Sequence, residues 1–445
     1  MHDSAQKPKI IVLDDDPTGS QTVHSCLLLL KWDVPTLLLG LADPSPIFFV
    51  LTNTRSLTPQ AAAAVTAEVC NNLKQAIARS GIGNFLIVSR SDSTLRGHYP
   101  LETDVIAKHL GPFDAHFLTP AFFEGGRITI DSTHYIESNG QRIPTHDTEF
   151  AKDSVFAYSS SYLPAYVEEK TQGAISASEV ERFTLADIRK GTQERLIKLS
   201  NNCCVAVDAE QPSDFEQFAA DLLSAAANGK KFLFRSAAGL LTALAALPPQ
   251  PTLPEQMSTI ARGSVGIIIA GSHVQKTTQQ LASLLQLSST VGIEIDISRL
   301  KTGNLTEADA LLKEVLVQLQ ECFDQSKTPV VYTSRKELTF PDKPSRLAFG
   351  ETVSNMLTTL VHRLPPKLGF LISKGGITSN DVLSKGLALT STRLLGQVIP
   401  GVSVVTTAPD HPRFPNLPVV LFPGNVGDEN ALAITYQRLA SSTPA

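Results

Sequence analysis

The chain reads as an α/β protein of two domains, each with a mainly parallel sheet flanked by helices and with the active site expected in the interdomain cleft. Three observations predict this. Short continuous apolar runs recur along the whole chain, as in strands buried on both faces. Stretches of helical periodicity alternate with them. One segment, 247–263, carries four prolines and no apolar periodicity, and so divides the chain as a semi-rigid linker.

In the first part the strand candidates are 10–13, 47–51, 85–88, 115–118, 203–207 and 231–234. In the second they are 265–270, 291–295, 330–333, 369–372, 402–406 and 419–422. Their continuous apolarity suits parallel strands. Between them, Thr58 caps a helix with Pro59 at its first position. Val65, Val69, Leu73 and Ile77 repeat every four residues, and Gly81 ends it. Ser213 and Glu216 have capping-box spacing before another helix. Leu311, Leu312, Val315, Leu316 and Leu319 form one apolar helical face. The expected domains are therefore 1–246, the linker 247–263, and 264–445. Residues 146–175, rich in small polar side chains, read as a lid or a surface excursion.

Composition excludes several classes. Of 445 residues, 42% are hydrophobic and 18% charged, with a formal net charge of −5. That is too apolar and too weakly charged for a disordered chain. No basic excess points to nucleic acid. No segment approaches the roughly 18 apolar residues of a membrane helix. The opening apolar run is too short for a secretory signal. The five cysteines are odd in number and lack CxxC spacing, so they read as reduced, mostly buried thiols. The expectation is a cytoplasmic protein, with homo-oligomerisation left open.

Chemistry concentrates where predicted strands end, the place where open α/β sheets bind ligands. Asp14, Asp15 and Asp16 follow the first strand. Three adjacent carboxylates repel one another, which favours cation binding or a raised pKa, unless they form only a solvated, helix-capping turn. Thr52, Asn53, Thr54, Arg55 and Ser56 follow the second. Arg55 can grip a carboxylate or phosphate with a two-pronged bond, or pair with the aspartates. The third loop packs Arg90, Asp92, Ser93, Thr94, Arg96, Gly97 and His98 together. Its arginines suit an acid group while Asp92, Ser93 and Thr94 suit hydroxyls. Glu124 and Arg127 follow the fourth strand. His24, His98 and His134 show no zinc-ligand spacing, and the metal assignment stays unknown.

The second part differs. Gly271-Ser272, Gly375-Gly376-Ile377-Thr378 and Gly424-Asn425-Val426-Gly427 each follow a strand. Glycines let backbone amides approach phosphate, and helix N-termini favour anions. One such loop is an ordinary tight connection; three suggest a nucleotide site. The P-loop, dinucleotide, protein-kinase and esterase-elbow signatures are missing.

These loops resemble the four-carbon acid sugar kinase family. Its ADDFTGA motif aligns with residues 14–20, its IDSTLRGN with 91–98 and its PAFPExGRTT with 120–129. Its GS, GGxT and GNxG elements align with Gly271-Ser272, Gly375 to Thr378 and Gly424 to Gly427. The matches run in the family's order over almost the whole chain, and DSTLRG is the most specific. Departures lie in the first part: Asp14 replaces a small residue, Pro17 replaces Phe, QTVH follows where another Asp is usual, and His98 replaces Asn. The resemblance implies an N-terminal domain for a small sugar acid and a C-terminal domain for ATP with Mg2+. It implies phosphorylation of threonate, erythronate or a related acid. Asp16 is then the preferred base, with Asp15 as its alternate. Arg55, Arg90 and Arg96 would hold the carboxylate, and Asp92, Ser93 and Thr94 the hydroxyls. Ser272, Gly375, Gly376, Ile377, Thr378, Gly424 and Gly427 would surround the nucleotide. Two other readings compete. Asp14, Asp16 and Thr18 also fit DxDxT of haloacid-dehalogenase-like phosphohydrolases, and a non-catalytic metabolite-binding regulator would use the same pockets.

Overall fold

A computed structural model of the protein describes residues 7–138, 140–261, 265–272, 274–301, 305–335, 338–340 and 342–440. The chain divides into two compact units, Met1–Pro249 and Gln250–Ala445. The dividing point lies inside the proline-rich stretch. Its later part does not behave as a spacer, because Met257 and Ala261 are buried in the second unit's core. Gln250 also exchanges side-chain hydrogen bonds of 3.1 and 2.9 Å with the backbone of Gln397. The end of the expected linker, 262–263, and the first residue of the expected second domain, 264, lie outside the described residues.

Among the described residues the first unit contains eleven strands: β1 Lys9–Asp14, β2 Leu27–Leu29, β3 Ile47–Leu51, β4 Phe85–Arg90, β5 Ala115–Thr119, β6 Arg127–Ile130, β7 Thr133–Ser138, β8 Gln141–Pro144, β9 Glu181–Phe183, β10 Cys203–Val207 and β11 Phe232–Ser236. Eight form a parallel sheet in the order β2-β3-β1-β4-β11-β5-β10-β9. The strands β6, β7 and β8 form a small antiparallel sheet. The apolar runs become strands because both faces are covered: Ile11, Phe48, Val50, Ile87 and Leu233 pack with Val69, Leu73 and Ile106 on one face, and Ile10, Val12, Phe49 and Val88 on the other are equally buried. At about 25 cal/mol per Å2 of apolar surface, burying such a side chain contributes about 1.5–3 kcal/mol, an upper estimate against a compact unfolded chain.

The helix Pro59–Ser80 starts and stops as the sequence predicts. Thr58 Oγ1 accepts from Ala61 N at 3.3 Å, and Gly81 takes the left-handed conformation at φ 71°. The helix Pro212–Ala227 begins earlier than expected. Its capping box is Gln211 with Asp214, not Ser213 with Glu216, and Pro212 occupies the first turn.

The second unit contains β12 Ile267–Ala270, β13 Thr290–Ile295, β14 Thr328–Thr333, β15 Leu371–Lys374, β16 Ser391–Ile399, β17 Val402–Thr406 and β18 Pro418–Phe422. Their order is β13-β14-β12-β15-β18-β17-β16. The first five run parallel. The strand 402–406, expected to be parallel, is antiparallel to both β18 and β16. A two-residue connection joins β16 to β17, too short for a parallel crossover.

Candidate functional site

In the first unit, β1 lies between β3 and β4, and β4 pairs with β11. Parallel register therefore brings four carboxyl ends together: Asp14 opposite Leu51 and Arg90, and Arg90 opposite Ser236. Sequence reasoning reached three of these ends. It stopped the last strand at residue 234 and missed Arg235.

The three aspartates differ sharply. Asp14 is fully buried, its Oδ1 lies 3.3 Å from Arg90 Nη1, and its Oδ2 has no partner. Burial pushes its pKa up to about 7; Arg90 opposes the rise, and Asp15 and Asp16 add to it. Gly19 covers it, because a Cβ there would stand 2.2 Å from both carboxylate oxygens. Asp15 is also buried, yet doubly held by Arg55, with Nε at 3.1 Å and a second bond from Nη2. Ser91 Oγ donates to it at 2.7 Å. Burial opposes ionisation, but the Arg55 charge and hydrogen bonds hold Asp15 below the usual carboxylate range. Asp16 is half-buried. Its Oδ1 accepts from Thr18 N at 2.8 Å and Thr18 Oγ1 at 2.5 Å, and its Oδ2 lies 3.6 Å from Arg55 Nη1.

The DSTLRG loop is an ion-paired turn. Asp92 accepts from Arg96 Nε at 2.7 Å and from Thr94 Oγ1. Burial would raise its pKa, but Arg96 and Arg55 hold it well below the ordinary range. Leu95 adopts φ 67°, rare for a branched side chain. Three consecutive carbonyls of this loop are gripped from outside it. His134 Nε2 lies 2.7 Å from Ser93 O, Tyr158 Oη donates to Thr94 O at 2.8 Å, and Tyr166 Oη donates to Leu95 O at 2.8 Å. Burial pushes the His134 pKa down to about 4, so the ring is neutral and supplies one N–H, with Nδ1 2.9 Å from Thr129 Oγ1. Segment 146–175 is therefore neither a lid nor a surface excursion in its packing. Tyr158, Leu163, Tyr166 and Val167 are buried with Leu95 in one cluster, and Phe150 lies under Arg96 at 4.9 Å. His98 faces the second strand's loop, with Nε2 3.1 Å from the carbonyls of both Thr54 and Leu57. Arg127 is buried and donates to Gly125 O.

The second unit holds a cavity of about 350 Å3, within the range of small-molecule sites. Gly271, Ser272, Gly375, Gly376, Ile377, Thr378 and Gly424 all line it; Gly427 does not. The fold itself requires glycine at two of these positions. A Cβ on Gly271 would stand 2.5 Å from Thr378 Oγ1, and Gly375 has φ 112°. Gly427 has a local role: φ 80°, close to Ala431, with its carbonyl accepting from Lys276 at 3.1 Å. The opposite wall was not singled out in the sequence. It includes Phe340 and Phe349, whose rings pack at 5.1 Å, and Asp381, which accepts from Ser354 Oγ at 2.5 Å and pairs with Lys385 at 3.1 Å. Beneath the glycines, Lys374 is fully buried. It donates to Pro423 O at 2.5 Å and lies 4.2 Å from the Phe422 ring centroid. Burial, and to a lesser degree Lys276, pushes its pKa down to about 7. Lys374 thus ties the loop after β15 to the loop after β18. Among the described residues, no group of three or more His, Cys, Asp or Glu side chains is arranged to hold a metal ion. None of their helices is long and apolar enough to cross a membrane.

Residues 10–244 match the family described as a sugar-binding N-terminal domain, and residues 267–432 match the nucleotide-binding C-terminal domain. No curated protein matches the chain in sequence. A Salmonella typhimurium LT2 protein, provisionally assigned as a tRNA synthase, has a similar structure with a TM-score of 0.68 at 20% identity, over 96% of this chain and 98% of that one. A Haemophilus influenzae protein of the DUF1537 family has a TM-score of 0.60 at 17% identity, over 96% and 100% of the two chains. These two likenesses are likenesses of fold.

Proposed function

We propose, from the premise that this chain belongs to the family joining a sugar-binding N-terminal domain to a nucleotide-binding C-terminal domain, that it is an ATP-dependent kinase of four-carbon sugar acids. The observation that carries the reading is the convergence of Gly271-Ser272, Gly375 to Thr378 and Gly424 on one cavity of about 350 Å3. Backbone amides at such glycine turns suit phosphate oxygens. Mg2+ is taken as arriving with ATP, as part of the co-substrate.

The acceptor acid, threonate, erythronate or a related derivative, binds at the strand ends of the first unit. Asp92, Ser93 and Thr94 read its hydroxyls, and the arginine group of Arg55, Arg90 and Arg96 supplies positive potential. Asp16 orients the attacking hydroxyl and takes its proton as the oxygen bonds to the γ-phosphorus. The bond from that phosphorus to the β–γ bridging oxygen breaks, and ADP leaves. Such transfer depends chiefly on positioning and electrostatics. Asp15 is the lesser candidate for base, because Arg55 already occupies both its oxygens. The phosphohydrolase alternative would make Asp14 the nucleophile, yet Asp14 is fully buried beneath Gly19.

The test is an ADP-release assay with a panel of four-carbon sugar acids, on the full chain and on Asp16→Asn. General-base loss predicts a fall in kcat of about 100- to 10,000-fold with KM for ATP little changed. Near-normal turnover in Asp16→Asn overturns the base assignment, and no ATP-dependent product with any acid overturns the kinase reading.

A further inference from the structure

We infer that Arg235 grips the carboxylate of the acid substrate. The inference deepens the kinase reading and rests on it for the substrate class. It starts from how the arginines around the strand ends are spent. Arg55 closes its fork on Asp15, and Arg90 faces Asp14 at 3.3 Å. Arg96 gives its Nε to Asp92 and stacks on Phe150. Arg90 Nε is also without a partner, but it is buried and Arg90 does not line the small cavity that Arg235 lines. Arg235 is held on one side. Its Nη1 donates to Ser89 Oγ at 2.8 Å and Glu102 Oε2 at 2.6 Å, which uses both N–H groups of that nitrogen. The Nε–Nη2 edge has no protein acceptor among the described residues. That edge carries two parallel N–H donors, the arrangement that matches a carboxylate.

The position of this edge supports the same role. Arg235 lines a small cavity with Ser91, Asp92, Arg96, Ser236 and Tyr166. Its volume of about 20 Å3 admits a group of roughly water size, so one end of a small acid enters and the rest of the chain stays outside. Gly97 makes room, since a Cβ there would stand 2.4 Å from Arg235 Nη2. The guanidinium is also held rigidly from behind. Glu102 Oε1 accepts from Thr54 Oγ1 at 2.5 Å, so the ion pair that anchors Arg235 is itself fixed. A donor edge facing a cavity, on a side chain anchored from behind, is pre-organised to take a carboxylate. An acid whose hydroxyls reach Asp92 and Ser93 from this anchor has its chain directed along the DSTLRG loop. Arg235 would thereby discriminate acids from neutral polyols of the same length.

Calorimetric titration of the full chain with threonate and erythronate, and with neutral erythritol, tests this. Arg235→Lys keeps the charge and removes the fork. Arg235→Gln with Glu102→Gln removes the buried pair together, so that no unpaired charge is left to unfold the unit. Expected is a preference of the wild type for an acid over erythritol. Both variants should weaken that acid at least tenfold, leave erythritol unchanged, and raise KM for the acid more than they lower kcat. Unchanged acid affinity in the variants, an equal loss for erythritol, or no acid binding to the wild type overturns the inference. Arg235-dependent acid binding without ATP consumption supports it and overturns the kinase reading instead.

Discussion

Two glycines on the same cavity separate the demands of the fold from those of the nucleotide. Gly375 has φ 112°, and a Cβ on it would stand 3.1 Å from Ser272 Cβ. Gly375→Ala therefore meets both backbone strain, about 1–3 kcal/mol, and a tight contact. At about 2–4 °C per kcal/mol for a unit of this size, the melting midpoint should fall by several degrees. Gly424 is different: its nearest prospective neighbour is Ser272 Oγ at 3.9 Å, an ordinary contact. Gly424→Ala should leave the melting midpoint within about a degree. Its methyl group points where a phosphate would approach the backbone. Crowding of that kind costs about 1–3 kcal/mol, or about 5- to 150-fold in KM for ATP at 1.4 kcal/mol per decade. The assay is ATP-dependent ADP release alongside differential scanning fluorimetry, with the acid saturating. Gly424→Ala with normal melting and normal KM for ATP would refute a phosphate seat at this turn. Normal melting of Gly375→Ala would refute the strain argument.

Two further outcomes follow from the first unit. Tyr158→Phe and Tyr166→Phe each leave a buried carbonyl of the DSTLRG loop without its donor, at about 1–3 kcal/mol; KM for the acid should rise in both while KM for ATP holds, and an unchanged acid KM in both would remove their positioning role. Asp14 has a folded pKa of about 7 against an unfolded 3.8, so the folded chain binds the extra proton between those values. Its contribution is present below about pH 4 and lost as pH rises through 7, at up to about 1.4 kcal/mol per unit. Urea unfolding should therefore show the wild type losing stability relative to Asp14→Asn from pH 4 to 7, and parallel pH profiles would contradict a protonated Asp14.

The alternation of apolar runs and helical repeats made the parallel core legible, because each central strand is covered on both faces and writes its burial as a continuous run. The three-residue strand β9 and the half-exposed β8 lack that run, whereas β2 lies in one, residues 26–30, that the strand candidates leave out. The antiparallel turn of β16 and β17 depends on a tight connection rather than on strand composition. At the site, the strand-end rule found Asp14 to Asp16, Arg55 and Arg90 to Arg96, and it applied equally to Arg235, one residue past the apolar run. What it could not supply was the partner of each charge. Arg55 was readable as a ligand grip or as an ion pair, and only the register of β1 against β3 brings it onto Asp15.

The grip of His134, Tyr158 and Tyr166 on the DSTLRG loop was illegible for a further reason. Their partners are backbone carbonyls, which leave no complementary residue type in the sequence. Yet the sequence contains the need for them. A leucine in the left-handed conformation costs about 1–2 kcal/mol relative to its ordinary region, and a loop of adjacent charges has few apolar contacts of its own. Three neutral donors offset that cost at about 0.5–1.5 kcal/mol each. They add no charge that would compete for the arginines. Two of the three come from segment 146–175, whose small polar composition suggested mobility. Its aromatics instead hold the DSTLRG loop, so on the proposed kinase reading substrate specificity would depend on residues 60 or more positions away from the motif that announces it.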